Sequence, residues 1–579
     1  MPRSHDRSPR ALAALAARRL LLLKTSLPVA LNAALPLALK VALTVALIAA
    51  PPVVGQTPLV TPGNTGLAGS VDDLSGRRLL LSLSEAQVGA DLNGDGDTAD
   101  GVPHLEQLGP APDATLPLAG SFFGPRYDDR WALASVNEFF HGSDVNGDGD
   151  VVDQVLFTLD VRTGALVNTG LTAFGVVVDG TLVMGVREQS GVDLNGDGDT
   201  DDALLHVRDL SSGITVNLGL PVWGVFPLQA DGDRVHFVVD ELAGGDVDGD
   251  GVLERLAYVY DVPSATAQRV SDTGLFIPVF VVDDVHVLAV AEGALNMDVN
   301  GDGNTFGTAI VLVDLVTGAE TITDVVFLLG ASFFRGEGSV YVNFRLAGTD
   351  PNIIPHRIDL ATGASEQLPQ LPLGDQFQHR TPVSDGRIAA LRVAETTADL
   401  NGDGDTDDLV LHTVDTATGA VTNHGFAVVI ESLDVVDGVV AALVSEADHF
   451  GVDRNADGDT DDGTPVIIEL ASGRVTELPV AAQRTRPSSE TVLRSLVLFD
   501  VVEGADGARD ANGDGDADDT VLHAYDLRRR QLVPLGAHEG WARAEGRRVT
   551  LSVSEAASGL GDLNGDGDAE DHVVHVVDL

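Results

Sequence analysis

From residue 51 onward the chain is a succession of short apolar runs separated by turn-forming residues. One stretch shows the pattern: FGVVVD (174–179), TLVMGVRE (181–188), ALLHVRDL (203–210) and ITVNLGL (214–220). These runs are rich in β-branched residues and bounded by Gly, Asp and Ser-Gly, which predicts four short strands. Asp179-Gly180 and Ser212-Gly213 have the composition of hairpin connections. No run after residue 50 sustains a helical period, so the expectation is all-β.

The pattern recurs, and its punctuation is acidic. An Asp-rich loop separates the second and third runs, and its first aspartates are Asp91, Asp144, Asp193, Asp246, Asp298, Asp399, Asp453, Asp510 and Asp562. Successive spacings are 53, 49, 53, 52, 101, 54, 57 and 52 residues. The doubled interval hides a copy that keeps the strand-and-turn phrase IPHRIDLATGA (354–364) but has lost its loop near Asp350. That makes ten repeats of about 50 residues, nine with an acidic loop. Four antiparallel strands at this period describe a blade of a β-propeller. The phrases VDLVTG (313–318) and IDLATG (358–363) resemble blades of many bacterial propellers, which implies one such domain over residues 51–579.

The chain ends point the same way. The last repeat stops at VVHVVDL, after its third strand, while LVTPGNTGLAGSVDD (59–73) aligns with ALVNTGLTAFGVVVD (165–179), a fourth strand running into the next repeat. The strand missing from the end is therefore at the beginning, and pairing the two would remove exposed sheet edges. One ring of ten blades follows. Ten exceeds the usual ~4–8 blades, so two smaller rings are the other arrangement to weigh.

Each loop carries Asp at positions one and five and Gly at position six; position three is Asn in eight loops and Asp248 in the fourth. Ca²⁺ takes six to eight oxygens at about 2.3–2.6 Å, and alternate residues on a curling loop can supply them, with glycine allowing the sharp turn. The expected ligands are Asp91, Asn93, Asp95 and Asp100; Asp144, Asn146, Asp148 and Asp153; Asp193, Asn195, Asp197 and Asp202; Asp246, Asp248, Asp250 and Glu254. In the later repeats they are Asp399, Asn401, Asp403 and Asp408; Asp453, Asn455, Asp457 and Asp462; Asp510, Asn512, Asp514 and Asp519; Asp562, Asn564, Asp566 and Asp571. The fifth loop, from Asp298, lacks the closing acid and is expected to bind weakly or not at all. The first half of the loop resembles those of EF-hands and dockerins. The second half departs from them, because the closing acid comes at position ten and position twelve already belongs to a strand. This shorter layout resembles the calcium loops between propeller strands of integrin-type α-subunits. Calcium at about eight sites is the expectation, with turns that are acidic for solubility alone as the competing reading.

Charge and composition narrow the partners. The formal charge is −53, from 35 basic and 88 acidic residues, which repels nucleic acid and anionic membranes. Eight bound calcium ions would bring it to −37. There are no cysteines, so disulfides, thiolate zinc sites and cysteine nucleophiles are excluded. Residues 1–50 start with Arg3, Arg7, Arg10, Arg18 and Arg19, continue as an Ala/Leu/Val-rich stretch, and lead into PPVVGQTP. This order resembles a secretory signal cleaved within residues 48–56, or else an uncleaved N-terminal anchor. Either reading exports the chain to the extracellular space, cell surface or periplasm.

Other residues were weighed for chemistry. His104, His206, His356, His412, His523 and His575 share one place on the third strand, where other repeats have Phe157, Tyr258, Val311 and Val466; this swap favours packing over a metal ring. Asp160, Asp209, Asp314, Asp359, Asp526 and Asp578 precede the strand-three turn and are expected to cap it. Trp131, Trp223 and Trp541 are read as opening first strands and packing between blades. Breaks in the repeat symmetry mark Arg126, Tyr127 and Arg130, then Arg335 and Arg345, then His379 and Arg380 as candidates for an anionic ligand, against a bland role in offsetting acids. No G-x-S-x-G, H-E-x-x-H or phosphate-binding loop is present. The expectation is a calcium-binding extracellular scaffold that meets a protein or glycan. The alternatives are a polymer-degrading hydrolase or lyase, and a structural envelope component.

Overall fold

Seven-residue strands rich in Val, Leu, Ile and Ala form the centre of most repeats, and both faces of these strands are largely buried among the described residues. That is why they read as nearly continuous apolar segments and not as alternating ones. The computed structural model describes residues 63–579 apart from 76, 109–112, 123–129, 189–191, 225–227, 271–275, 283, 296–297, 302, 306, 328–331, 337, 346–352, 368–382, 396–397, 430–432, 485–491 and 494. These residues belong to one compact unit, Leu59–Leu579. Residues 1–50, expected to be a secretory signal or an anchor, lie outside the described residues.

The chain is almost entirely β, arranged as antiparallel sheets in which strands follow in chain order. The second and third strands of every repeat are seven residues long and pair along their whole length. In the third repeat, Thr181–Arg187 runs against Ala203–Asp209, from Asp209↔Thr181 to Ala203↔Arg187. Their outer partner is Thr215–Pro221. Asp179 and Gly180, both at positive φ (45° and 72°), make the tight turn between first and second strands.

Three strands are longer and each serves two four-stranded groups. Ala165–Val178 pairs first with Gln154–Asp160 of the second repeat and then with Thr181–Arg187 of the third. Gln531–Glu545 does the same between the ninth and tenth repeats. Gly63–Ser75 pairs with His572–Asp578 at the far end of the chain (Asn64↔His575, Ala68↔Val573) and then with Arg78–Ser84. The expected overlap of the chain ends is thus a real strand pairing. It also repeats the interior hydrogen bonds: Thr65 Oγ1 donates to Val574 O (2.6 Å) as Thr169 Oγ1 does to Leu156 O (2.5 Å).

The core lies between repeats. Val176, Val183 and Leu205 of the third pack on Val235, Phe237 and Leu256 of the fourth. Leu133 and Leu156 of the second pack on Leu182 and Met184 of the third. The last such cluster joins Val71, Leu79 and Leu81 of the first repeat to Val574 of the tenth. No sheet buries its faces alone, so each depends on its neighbours for the hydrophobic term.

Candidate metal centres

The acidic loops all lie between second and third strands, as expected. The third repeat serves as the pattern. Asp193 accepts from the backbone N–H of Gly196 (2.5 Å) and of Gly198 (3.1 Å), which folds the chain back over its own carboxylate. The fold-back needs φ of 85° at Gly196 and 107° at Gly198, a region that side chains with a Cβ rarely adopt. Asn195, Asp197 and Asp199 then each accept from the N–H two residues on, at 3.0, 3.2 and 3.1 Å.

This curl brings positions three, five and ten together. Asn195 Nδ2 lies 3.0 Å from Asp197 Oδ2 and 2.9 Å from Asp202 Oδ2. Asn93, Asn146, Asn401 and Asn455 stand between the equivalent two acids in their loops. Asn512 and Asn564 contact the closing acid, at 2.7 and 2.8 Å. In these seven loops the amide hydrogens are the positive end of a dipole placed where carboxylates converge.

The electrostatic result is legible in the acids. Burial, reinforced by neighbouring carboxylates, pushes Asp408 and Asp462 up to about 7. The same causes push Asp100, Asp202, Asp519 and Asp571 up to about 6. The exposed partners move the other way: the N–H of Asp199 holds Asp197 low, and the N–H of Asp97 holds Asp95 low. Such a pocket takes up protons or a cation near neutral pH. The converging carboxylates, with no sulfur or imidazole donor among them, suit a hard cation such as Ca²⁺.

The fourth loop differs. Where the others have Asn, it has Asp248, and Arg269 pairs with Asp248 and lies 3.7 Å from Glu254. A guanidinium stands on two of the expected ligands.

A glutamate in the site was missed from sequence. Glu85, Glu138, Glu188, Glu241, Glu292, Glu395, Glu446, Glu503 and Glu555 each follow the second strand directly and are buried. The backbone N–H of each donates to the carbonyl at the end of the loop, as Glu188 does to Asp202 (2.8 Å) and Glu395 to Asp408 (2.9 Å). One carboxylate oxygen accepts from the N–H groups at loop positions two and three, as Glu138 does from Val145 (2.5 Å) and Asn146 (3.0 Å). The signal was available: the nine repeats with an acidic loop all have this Glu, and the sixth has Leu346 in its place.

The remaining candidates fare unevenly. Arg126, Tyr127, His379 and Arg380 lie outside the described residues, as do the side chains of Arg335 and Arg345. Arg130 forks onto Asp160 Oδ2 (2.9 and 2.8 Å) and covers the Trp131 ring at 4.7 Å. His206, His412 and His523 are buried, and the Nδ1 of each meets the carbonyl two residues earlier in its own strand at 3.0–3.1 Å, where burial keeps the ring neutral. The strand-three aspartates do cap turns: Asp209 accepts from Ser211 and Ser212, and Asp526 from Arg528 and Arg529. Asp578 instead pairs with Arg548 at 2.8 Å.

Trp131 corrects the sequence reading: it opens the second strand, Trp131–Asn137, opposite Asp160. Trp223 lies where the fourth repeat begins, its backbone N–H donating to Val238 O beside the Val222–Val239 bridge, under the Arg255 guanidinium (4.1 Å). Trp541 lies in the half of Gln531–Glu545 that pairs with the second strand of the tenth repeat. The strand that opens the second repeat is only Gly120–Phe122, so the apolar run from Trp131 belongs to the strand after it.

No protein-family model matches this chain, and no curated protein matches it. Solved structures give distant likenesses. The tricorn protease is 13% identical with a TM-score of 0.26 over 85% of this chain, which spans 60% of that protein's length. The β-propeller domain of the Trilobed protease from Pyrococcus furiosus is 9% identical (TM-score 0.29; 61% of this chain, 95% of that one). BamB from Moraxella catarrhalis is 15% identical (TM-score 0.31; 65% and 93%).

Proposed function

We propose that this chain is an exported, calcium-binding β-propeller. In this reading ten four-stranded blades close into one ring through the pairing of Gly63–Ser75 with His572–Asp578. Calcium ions in the inter-strand loops rigidify one end of the blades and offset a formal charge of −53. The protein then acts as a binding or scaffold module outside the cytoplasm, with a protein or glycan as partner.

The observation that carries the calcium reading is the convergence around one amide: in the first, second, third, seventh and eighth loops, two carboxylates lie within hydrogen-bond distance of a single Asn Nδ2. The amide dipole offsets only part of the repulsion between acids held this close, and extracellular calcium is plentiful enough to fill sites with Kd of about 10⁻⁴–10⁻³ M. What supports the ring is the set of apolar clusters that link each repeat to the next and the tenth to the first.

The test is thermal unfolding of the folded chain in EGTA, in calcium and in magnesium. An ion that binds only the folded form stabilises it, by about 1.4 kcal/mol per site at ten times Kd. The expected result is a midpoint that climbs with calcium and far less with magnesium. A midpoint indifferent to calcium overturns the reading.

A further inference from the structure

We propose that the glutamate after the second strand is itself an ion ligand in the second, third, seventh and eighth repeats (Glu138, Glu188, Glu395 and Glu446), one carboxylate oxygen fastening the loop and the other facing the cation. The inference rests on the calcium reading above and adds a residue that lies outside the loop.

The two oxygens of this carboxylate live differently. Oε1 accepts from the N–H groups of positions two and three in every acidic-loop repeat, for example Leu194 and Asn195 on Glu188 (2.5 and 3.3 Å) and Leu563 and Asn564 on Glu555 (2.5 and 3.3 Å). Oε2 of Glu138, Glu188, Glu292, Glu395 and Glu446 is buried and has no hydrogen-bond partner, whereas Oε2 of Glu85, Glu241, Glu503 and Glu555 accepts from the N–H of the closing acid at 3.1–3.4 Å. These residues are at most 4% exposed. An anionic oxygen sealed from water with nothing to accept from is costly, and a cation is what relieves it.

The glutamate carboxylate has loop carboxylates around it. Glu395, Asp403, Asp405 and Asp408 each place a carboxylate oxygen within 4.8 Å of the others, as do Glu138, Asp150 and Asp153, and Glu188, Asp199 and Asp202. Oxygens about 2.4 Å from a common centre are at most about 4.8 Å apart, so these groups are close enough to share one calcium ion. The grouping also brings in the seventh position (Asp150, Asp199, Asp405), which the loop motif alone left without a role.

The repeats supply an internal control. A residue needed only to anchor a hairpin through Oε1 could be Gln, which offers the same acceptor. All nine repeats with an acidic loop have Glu, and the sixth, which has no such loop, follows its second strand with Leu346. The spacer to the first aspartate varies from four residues (Glu395 to Asp399) to seven (Glu446 to Asp453), yet the carboxylate reaches the same two N–H groups. Charge is retained together with the loop, and spacing is not.

The experiment replaces the carboxylate and keeps the acceptor. Glu138→Gln, Glu188→Gln, Glu395→Gln and Glu446→Gln are made singly and together in the full chain, and bound calcium is counted by native mass spectrometry. Each single variant is expected to hold one ion fewer than wild type at equal free calcium, and the quadruple variant four fewer. In EGTA the variants should melt at or above the wild-type midpoint, since a buried uncompensated charge has been removed, and in calcium they should melt below it. Unchanged ion counts, or an EGTA midpoint lowered as much as the calcium midpoint, would reduce the glutamate to a structural anchor and overturn the proposal. A wild-type chain that takes up no calcium would instead defeat the parent reading, and the two failures are told apart by that control.

Discussion

Asn564 donates through Nδ2 to the carbonyl of Gln87, 2.7 Å away and 477 residues earlier in the chain. The same amide contacts Asp571 at 2.8 Å, so the acidic loop of the tenth repeat rests on the first repeat through one of its own expected ligands. Asn512 does the same to Ala557 of the following repeat at 3.0 Å. At the seam a second strut comes from the start of the chain: Asn64 Nδ2 donates to Leu563 O at 2.8 Å, in the manner of Asn168 with Val145 O in the interior. Filling the tenth loop should therefore tie down the N-terminal strand. With Asp562→Ala and Asp571→Ala, hydrogen exchange in residues 63–75 is expected to speed up in calcium. The matched pair Asp193→Ala and Asp202→Ala should leave that segment protected. Equal exchange in the two variants would show that the seam does not depend on its ion.

The fourth loop predicts a gain. Arg269 already supplies positive charge to Asp248 and Glu254, so this repeat has less call for an ion. Arg269→Gln removes the built-in counter-charge and leaves the acids facing one another. The variant should be less stable than wild type in EGTA by about 1–3 kcal/mol, the penalty for partly buried charges that lose their partner. In saturating calcium most of that difference should vanish, with one more ion bound. A deficit that calcium does not repair would mean that Arg269 holds the loop by packing alone.

Much of this was legible in the chain because it is written ten times. The strand runs, the Asp179-Gly180 turn and the loop position between second and third strands follow from β-branched composition and turn chemistry. The match of residues 59–73 to 165–179 was enough to anticipate that the first segment pairs with the last, as Gly63–Ser75 does with His572–Asp578. The glutamates were not legible in the same way. Glu188 lies five residues before its loop and Glu503 seven, so no fixed motif contains them, and an acid before an acidic loop reads as one more surface charge. Only the sheet, which seals that carboxylate under the loop, separates it from the rest. Arg269 escaped for a similar reason: it reaches Asp248 from the fourth strand, 21 residues away.

The turn aspartates give a metal-independent prediction. Asp160 is buried and takes both the Arg130 fork and the N–H of Arg162 (2.9 Å). Burial opposes its ionisation, but these bonds outweigh it and hold the carboxyl below its usual range. Asp160→Ala strands a guanidinium and a turn N–H together, at a cost of about 2–3 kcal/mol. Asp209 is exposed and caps its turn alone, so Asp209→Ala should cost about 1 kcal/mol or less. Urea unfolding in EGTA and in calcium should give the same ranking, because neither residue touches a loop. A reversed order would mean that the Arg130 fork adds nothing to the cap.

The last prediction concerns acid. His236 and His286 stand on second strands of neighbouring repeats with ring centroids 5.0 Å apart. Burial, with Arg234 nearby, lowers His236 to about 4; burial, with His236 beside it, lowers His286 to about 3. In the unfolded chain both would ionise near 6.5. Below that pH the unfolded state binds protons that the folded state refuses, so the stability present above about pH 6.5 is lost as pH falls towards 4 and then 3. The loss is on the order of 3 kcal/mol per histidine when fully expressed. Raised carboxyls such as Asp408 act with the opposite sign, so the measurement must be a difference between chains that share them. The double variant His236→Leu, His286→Leu should therefore lose less stability than wild type between pH 6.5 and 4, measured by urea unfolding in EGTA. A stability gap between the two chains that stays constant across that window would show that the pair takes no part in acid unfolding.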